Sequence, residues 1–158
     1  MIFLECNNDE FLIKSIGFTR RQIFHVYNKG EVVKRVGKAA RAIGIIDKDL
    51  DRNRPREMTE YIEVKSNRPD RDITLFQKKA DQGKRLVQIS PYLEEWILHR
   101  AKRNKINPED FNLPNDSKKL HAMTNLDKNK NFQKFLKQLI AIDPEIKTLK
   151  KWIQDALE

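Results

Sequence analysis

The sequence predicts an α/β fold, a mostly parallel sheet flanked by helices with a C-terminal helical extension. Three observations carry this. Short apolar runs alternate with segments whose apolar residues recur at helical spacing, in the order strand, helix, strand, helix, strand, as far as Asp47. The third run, Ala42-Ile43-Gly44-Ile45-Ile46, is apolar throughout, as strands covered on both faces tend to be. Beyond residue 128 the pattern is purely helical.

Residues 2–5 read as a short buried strand. Asn7 or Asn8 suits the cap of the following helix, with Asp9 and Glu10 in its first turn near the positive end of the dipole. Phe11, Leu12 and Ile16 mark its apolar face, and Gly17 fits its C-terminal end. Residues 22–27 read as a second strand, and Asn28-Lys29-Gly30 as a turn. Val32, Val33, Val36 and Ala40 line a second helix, which leads into the third strand at 42–46.

Residues 48–72 are rich in Arg, Asp, Asn and Pro and read as an exposed loop with a short strand near 61–65. Ile73–Gln77 and Arg85–Ile89 pair across a turn containing Gly83. Ser90-Pro91 suits a helix start, and Leu93, Trp96, Ile97 and Ala101 give that helix its apolar face. Residues 105–127, punctuated by Pro108 and Pro114, read as loop with short helical turns. Two amphipathic helices follow, one through Phe132, Phe135, Leu136, Leu139 and Ile140, the other opening near Asp143-Pro144. The expected division is an α/β domain over 1–104 and a helical extension over 105–158 packed on it.

With 158 residues and a hydrophobic fraction of 39%, the chain can build one core. No apolar stretch approaches the roughly 20 residues that span a bilayer, so no membrane partner is expected. No basic segment precedes an apolar one at the N-terminus, so a secretory signal is not expected either. A single cysteine, Cys6, excludes an intrachain disulfide and a cysteine zinc cluster, and a reducing, cytoplasmic setting follows. The formal net charge of +9 favours a polyanionic partner such as nucleic acid, although a solvated Lys-rich surface accounts for the same number.

Against this basic background, acids gather where apolar runs end. Glu5 closes the first run, with Asp9 four residues on. Asp47 closes the third, and Asp49 and Asp51 follow at alternate positions. In an open α/β sheet, ligands bind beyond the carboxyl ends of the strands. Glu5, the 28–30 turn and Asp47 all fall on that edge, and Glu94 and Glu95 open a helix that faces it. An acid at the end of a buried strand is costly unless something binds it, and oxygen ligands so placed suit a hard divalent cation.

Rival readings remain for each piece. Asp9 has an ordinary dipole explanation, and Glu5 can pair with a lysine or arginine. An EF-hand loop opens with the same alternation as Asp47-Asp49-Asp51. It requires glycine at its sixth position and glutamate at its twelfth, where this chain has Arg52 and Met58. His25, His99 and His121 lack metal-ligand spacing, no Ser-His-Asp arrangement is visible, and GxxxxGK[ST] is absent.

In this order the residues resemble the Toprim domains, the catalytic modules of topoisomerases, DnaG-type primases, OLD-type nucleases and small RNA-maturing nucleases. Glu5-Cys6-Asn7-Asn8-Asp9 looks like the family's E-G-x-x-D, Lys29-Gly30 like the glycine after the second strand, and Asp47-Lys48-Asp49 like the D-x-D that ends the third. Pro91-Tyr92-Leu93-Glu94-Glu95-Trp96 is similar to a segment of the OLD-like branch. The likeness covers roughly residues 1–100. Cys6 stands where the family usually has glycine, and fits there if its φ is negative.

The resemblance implies a Toprim/Rossmann-like sheet and a Mg²⁺- or Mn²⁺-dependent nuclease, a hydrolase of phosphodiester bonds in DNA or RNA. It makes Glu5, Asp47 and Asp49 catalytic, and Glu5, Asp9, Asp47, Asp49 and Glu94 the metal set. Lys29 is then a phosphate contact. OLD nucleases usually carry an ATPase, which this chain lacks, so a separate ATPase protein is the expected partner, in defence or repair. The alternatives are a non-catalytic binding or regulatory subunit that keeps the fold, and a small RNA-processing nuclease.

Overall fold

The computed structural model describes residues 1–48, 54–64, 68 and 71–158; Asp49 and Asp51 lie outside the described residues. The chain runs through β1 (Ile2–Leu4), α1 (Asn7–Ser15), β2 (Ile23–His25), α2 (Lys29–Lys38), β3 (Ala42–Asp47), β4 (Tyr61–Glu63), β5 (Ile73–Lys78) and β6 (Asp81–Ile89). It continues through α3 (Leu93–Arg103), α4 (Ser117–Ala122), α5 (Lys130–Ile142) and α6 (Pro144–Leu157), with short 3-10 turns between. The six strands form one sheet in the order β2-β1-β3-β6-β5-β4. The first four in that order are parallel to one another, and β5 and β4 complete it by antiparallel pairing. The fold is therefore the α/β class that the pattern predicts.

Alternation along the strands divides the core into two layers. Ile2, Leu4, Ile43, Ile45, Val87 and Ile89 face α1, α3, α5 and α6. Phe3, Ala42, Ile46, Phe76 and Leu86 face α2 and the turn at Arg56–Glu60. The continuous apolar run at 42–46 is thus explained by burial on both faces, as expected. Gly44 belongs to the α2 face, where a Cβ would lie 2.6 Å from Val32 Cγ1 and 2.8 Å from Leu86 Cδ2. Only glycine lets α2 sit this close to the middle of β3.

Four local expectations are corrected. Cys6, not Asn7 or Asn8, caps α1: it adopts an extended backbone (φ −135°) and its sulfur accepts from the Asp9 amide at 3.4 Å. Asn28 is the cap of α2, accepting from the Glu31 amide at 2.9 Å, so Lys29 and Gly30 form the helix's first turn and not a separate one. The β5–β6 turn falls at 79–80, because pairing continues to Lys78 and Asp81 and leaves Gly83 inside β6. Ser90 still donates to the Asp72 carbonyl at 2.8 Å, which extends the ladder and delays α3 to Leu93, with Tyr92 as its cap.

The C-terminal helices share a core with the first strand. Phe135, Leu139, Leu149, Trp152 and Ile153 join the same hydrophobic cluster as Ile2, Leu4 and Ile43. α6 lies over β3, β6 and β5. One buried ion network ties it down. Arg100, 5% exposed, reaches Asp143 at 2.8 Å through Nη2 and Glu145 at 2.9 Å through Nη1. Asp143 also caps α6 by accepting from the Ile146 amide at 2.8 Å. Glu145 accepts from Trp96 Nε1 at 3.1 Å and from the Asp72 amide at 3.0 Å. No helix among the described residues is long and apolar enough to cross a membrane.

Candidate functional site

The order in which the strands are laid down selects one edge. From β1 the chain moves to β2 on one side, then returns past β1 to place β3 on the other. α1 covers one face and α2 the opposite one. Between β1 and β3 the direction of winding reverses, and a crevice opens at their carboxyl ends. Glu5 immediately follows β1, and Asp47 is the last residue of β3. The two acids therefore flank the switch point. Glu5 Oε1 is shielded from solvent. Asp47 lies level with Ile89 of β6, and the next amide, that of Lys48, donates to the Ile89 carbonyl at 2.7 Å.

Lys29 opens α2 at the same edge. Its Nζ donates to the Lys48 carbonyl at 3.3 Å, which ties the start of α2 to the end of β3. The positive end of the α2 dipole also lies at this edge.

Asp9 and Glu94 form the buried part of the site. They are 4% and 3% exposed, and each sits in the first turn of its helix, α1 and α3. Asp9 Oδ2 accepts from the Cys6 amide at 3.2 Å, completing a reciprocal cap. Its Oδ1 is buried with no hydrogen-bond partner among the described residues. Burial raises the Asp9 carboxyl to about 6, and the Glu94 charge adds to that rise, against the hydrogen bonds from Cys6 that oppose it. Glu94 Oε1 accepts from Asn8 Nδ2 at 2.9 Å and lies 3.1 Å from His121 Nδ1. Burial also pushes the Cys6 thiol up, with Asp9 adding to the effect, so the capping sulfur is a neutral thiol.

The edge thus carries Glu5, Asp9, Lys29, Asp47 and Glu94, with Asp49 outside the described residues. It does not gather them all at one point. Among the described residues, no three His, Cys, Asp or Glu side chains lie close enough together to hold a metal ion. Asp9 and Glu94 do come together, beneath the opening turns of α1 and α3. Asn8 and His121 escaped the sequence reading. Asn8 carries only the signal of a cap, and His121 reaches Glu94 from α4, a tertiary contact without a local signal. The negative φ of Cys6 meets the condition for replacing glycine there.

Two buried acids that repel each other electrostatically, one with an orphaned oxygen, suit a shared proton or a cation. Comparison with protein-family models, with curated proteins and with solved structures finds no match for this chain.

Proposed function

We propose that the chain is a Toprim-type nuclease, a divalent-metal-dependent hydrolase of phosphodiester bonds in DNA or RNA. The observation that carries this reading is the position of Glu5 and Asp47 on either side of the switch point, beside the buried Asp9–Glu94 pair. Mg²⁺ commonly takes only one or two carboxylates and fills its remaining positions with water and substrate phosphate. The orphaned Asp9 oxygen and the repulsion from Glu94 fit such an ion. Asp9 with Glu94 would hold Mg²⁺ or Mn²⁺, with Asp47 and Asp49 assigned to the ion by the resemblance alone. When bound, the ion neutralises phosphate charge and lowers the pKa of water.

The remaining steps belong to the chain's own groups. Glu5 takes the proton of the attacking water or returns one to the leaving oxygen. Lys29 fixes the end of β3 and adds positive charge where the phosphate arrives. The surplus of nine positive charges draws the polyanion in, with affinity that falls as salt rises. On the same reading an ATPase, where one takes part, is a separate protein.

The test is cleavage of labelled DNA and RNA oligonucleotides with Mn²⁺ or Mg²⁺ and with chelator. Metal-dependent cutting that is lost in Asp47→Ala/Asp49→Ala is the expected result; cutting that the double variant retains in full would sink the proposal. Preference for RNA over DNA would make it an RNA-processing nuclease with the same site. A second reading is a non-catalytic nucleic-acid-binding subunit, favoured by the lack of a three-acid group among the described residues. Calorimetry separates the two, since that subunit binds oligonucleotide but no Mn²⁺ at millimolar concentration.

A further inference from the structure

The groove between β2 and α2 joins an aromatic floor to a basic wall. It holds about 470 Å³. Phe3 and Phe24 form its floor, with ring centroids 5.5 Å apart and planes tilted by 37°. Phe3 is buried, whereas Phe24 is 40% exposed. Among the described residues β2 is the last strand on its side of the sheet. Glu31, Lys34, Arg35 and Lys38 form the wall along one stripe of α2, since residues three and four apart share a helix face.

Glu31 is the acid of this wall. Arg35 engages it at 3.0 Å, and Lys34 stands 4.0 Å from it. Lys38 has no ion pair among the described residues. With Arg35 set against Glu31, two lysines remain in surplus, and both are exposed. An exposed aromatic face beside surplus ammonium groups suits a single-stranded nucleic acid. Any base can stack on the ring, and the phosphates pair with the cations.

Two observations favour a nucleic-acid strand over an acidic peptide. A peptide adding to β2 needs the backbone groups of its free edge. Arg20 Nη1 already donates to the Ile23 carbonyl at 3.0 Å, and the Ile23 amide donates to the Arg20 carbonyl, so this edge is partly closed. The groove also continues the candidate site. α2 connects two strands that run parallel, so it leads back from the crevice, where Lys29 opens it, toward the amino ends of the strands. From Lys29 to Lys38 that path is about 14 Å at 1.5 Å per residue.

We infer that this groove binds single-stranded nucleic acid, with a base stacked on Phe24 and backbone phosphates against Lys34 and Lys38. That the same strand leads to the crevice rests on the nuclease reading; the binding itself does not.

The experiment is binding of a fluorescent single-stranded oligothymidylate in chelator, where no cleavage occurs, over a range of salt. Phe24→Leu, Phe24→Tyr and Lys34→Gln/Lys38→Gln are compared with wild type and with Lys134→Gln/Lys137→Gln, a control on the exposed face of α5. Circular dichroism confirms that each variant folds. Affinity about tenfold weaker at an unchanged salt slope is expected for Phe24→Leu, and wild-type affinity for Phe24→Tyr, which keeps a ring to stack on. Lys34→Gln/Lys38→Gln is expected to weaken binding and to flatten the log–log salt slope by about 0.7 per lost phosphate contact. Equal affinity of wild type, Phe24→Leu and the groove lysine variant overturns the inference, as does equal weakening in the control. An Asp- and Glu-rich peptide carrying one Phe that binds through Phe24 and Lys38, where the oligothymidylate does not bind, overturns nucleic acid as the occupant. Groove-dependent binding without any metal-dependent cleavage removes the nuclease reading and leaves the groove intact. Metal-dependent cleavage with an affinity indifferent to the groove variants does the reverse.

Discussion

Asn8 donates its side-chain amide to Glu94 Oε1 at 2.9 Å, joining the first turn of α1 to the first turn of α3 across 86 residues of sequence. This bond ties Glu94 to the residue next to Asp9, and both acids are buried.

The pair makes stability fall as pH rises through the acid range. The folded Asp9 carboxyl, raised to about 6 from an ordinary 3.8, binds its proton more tightly than the unfolded one. Its contribution is therefore fully present below the ordinary value, is lost between about 4 and 6, and is flat above that. Asp9→Asn keeps an oxygen for the Cys6 amide and removes the charge. Urea unfolding in chelator, repeated from pH 4 to 7, is expected to show a shallower slope for this variant and a higher midpoint at pH 7. Millimolar Mn²⁺ is expected to raise the wild-type midpoint at pH 7 and leave that of Asp9→Asn in place.

The Arg100 network predicts a much larger loss. Arg100→Met leaves Asp143 and Glu145 buried without their cation, which costs about 3–5 kcal/mol. Asp143→Asn, which keeps an acceptor for the Ile146 amide, is expected to lose less than Asp143→Ala. Equal urea midpoints for Arg100→Met and wild type would show that the network adds nothing.

Gly44→Val sets a branched side chain against Val32 and Leu86 where even a Cβ is too close. Overpacking of this kind costs about 1–3 kcal/mol, more if α2 is forced off the sheet. Because α2 begins at the crevice, cleavage is expected to fall together with stability, read as a lower Tm and a lower rate at one temperature.

Cys6 is a capping residue and a poor nucleophile. Cys6→Ser, with a stronger acceptor for the Asp9 amide, is expected to stabilise by about 0.5–1 kcal/mol. The wild-type thiol is expected to react with iodoacetamide at pH 8 far more slowly in the folded than in the unfolded protein. Cys6→Gly installs the residue usual in Toprim domains; with φ at −135° any residue is accommodated, so on the proposed nuclease reading cleavage should not change.

Removing the strand-end acids tests the chemistry. Asp47→Ala/Asp49→Ala is expected to lower metal-dependent cleavage by at least about a hundredfold, beyond what loss of a supporting residue costs. Glu5→Gln should do so at unchanged Mn²⁺ affinity if its role is to move a proton, a split that calorimetry and initial rates together resolve.

What could be read from the sequence was local. The apolar run ending at Asp47 and the helical spacing of Val32, Val33 and Val36 fixed the βαβαβ order and placed Glu5 and Asp47 on one edge. The Asp143-Pro144 start of the last helix was equally legible, since an acceptor before a first-turn proline is a short-range signal. What escaped depended on distant partners. Nothing near Arg100 announces Asp143, and nothing near Glu94 announces Asn8 or His121. Gly83 lies inside β6 because the length of the ladder, and not the residue, decides where the hairpin turns. The acids were gathered only in part, since a sequence gives the height of a residue on a strand and not the direction its side chain takes.

The cover of β3 by α6 has a consequence for synthesis. Part of one face of β3 stays wet until residues 144–157 have been added behind it. Loss of α6 is therefore expected to uncover apolar side chains of β3, β5 and β6 rather than to trim a dispensable tail.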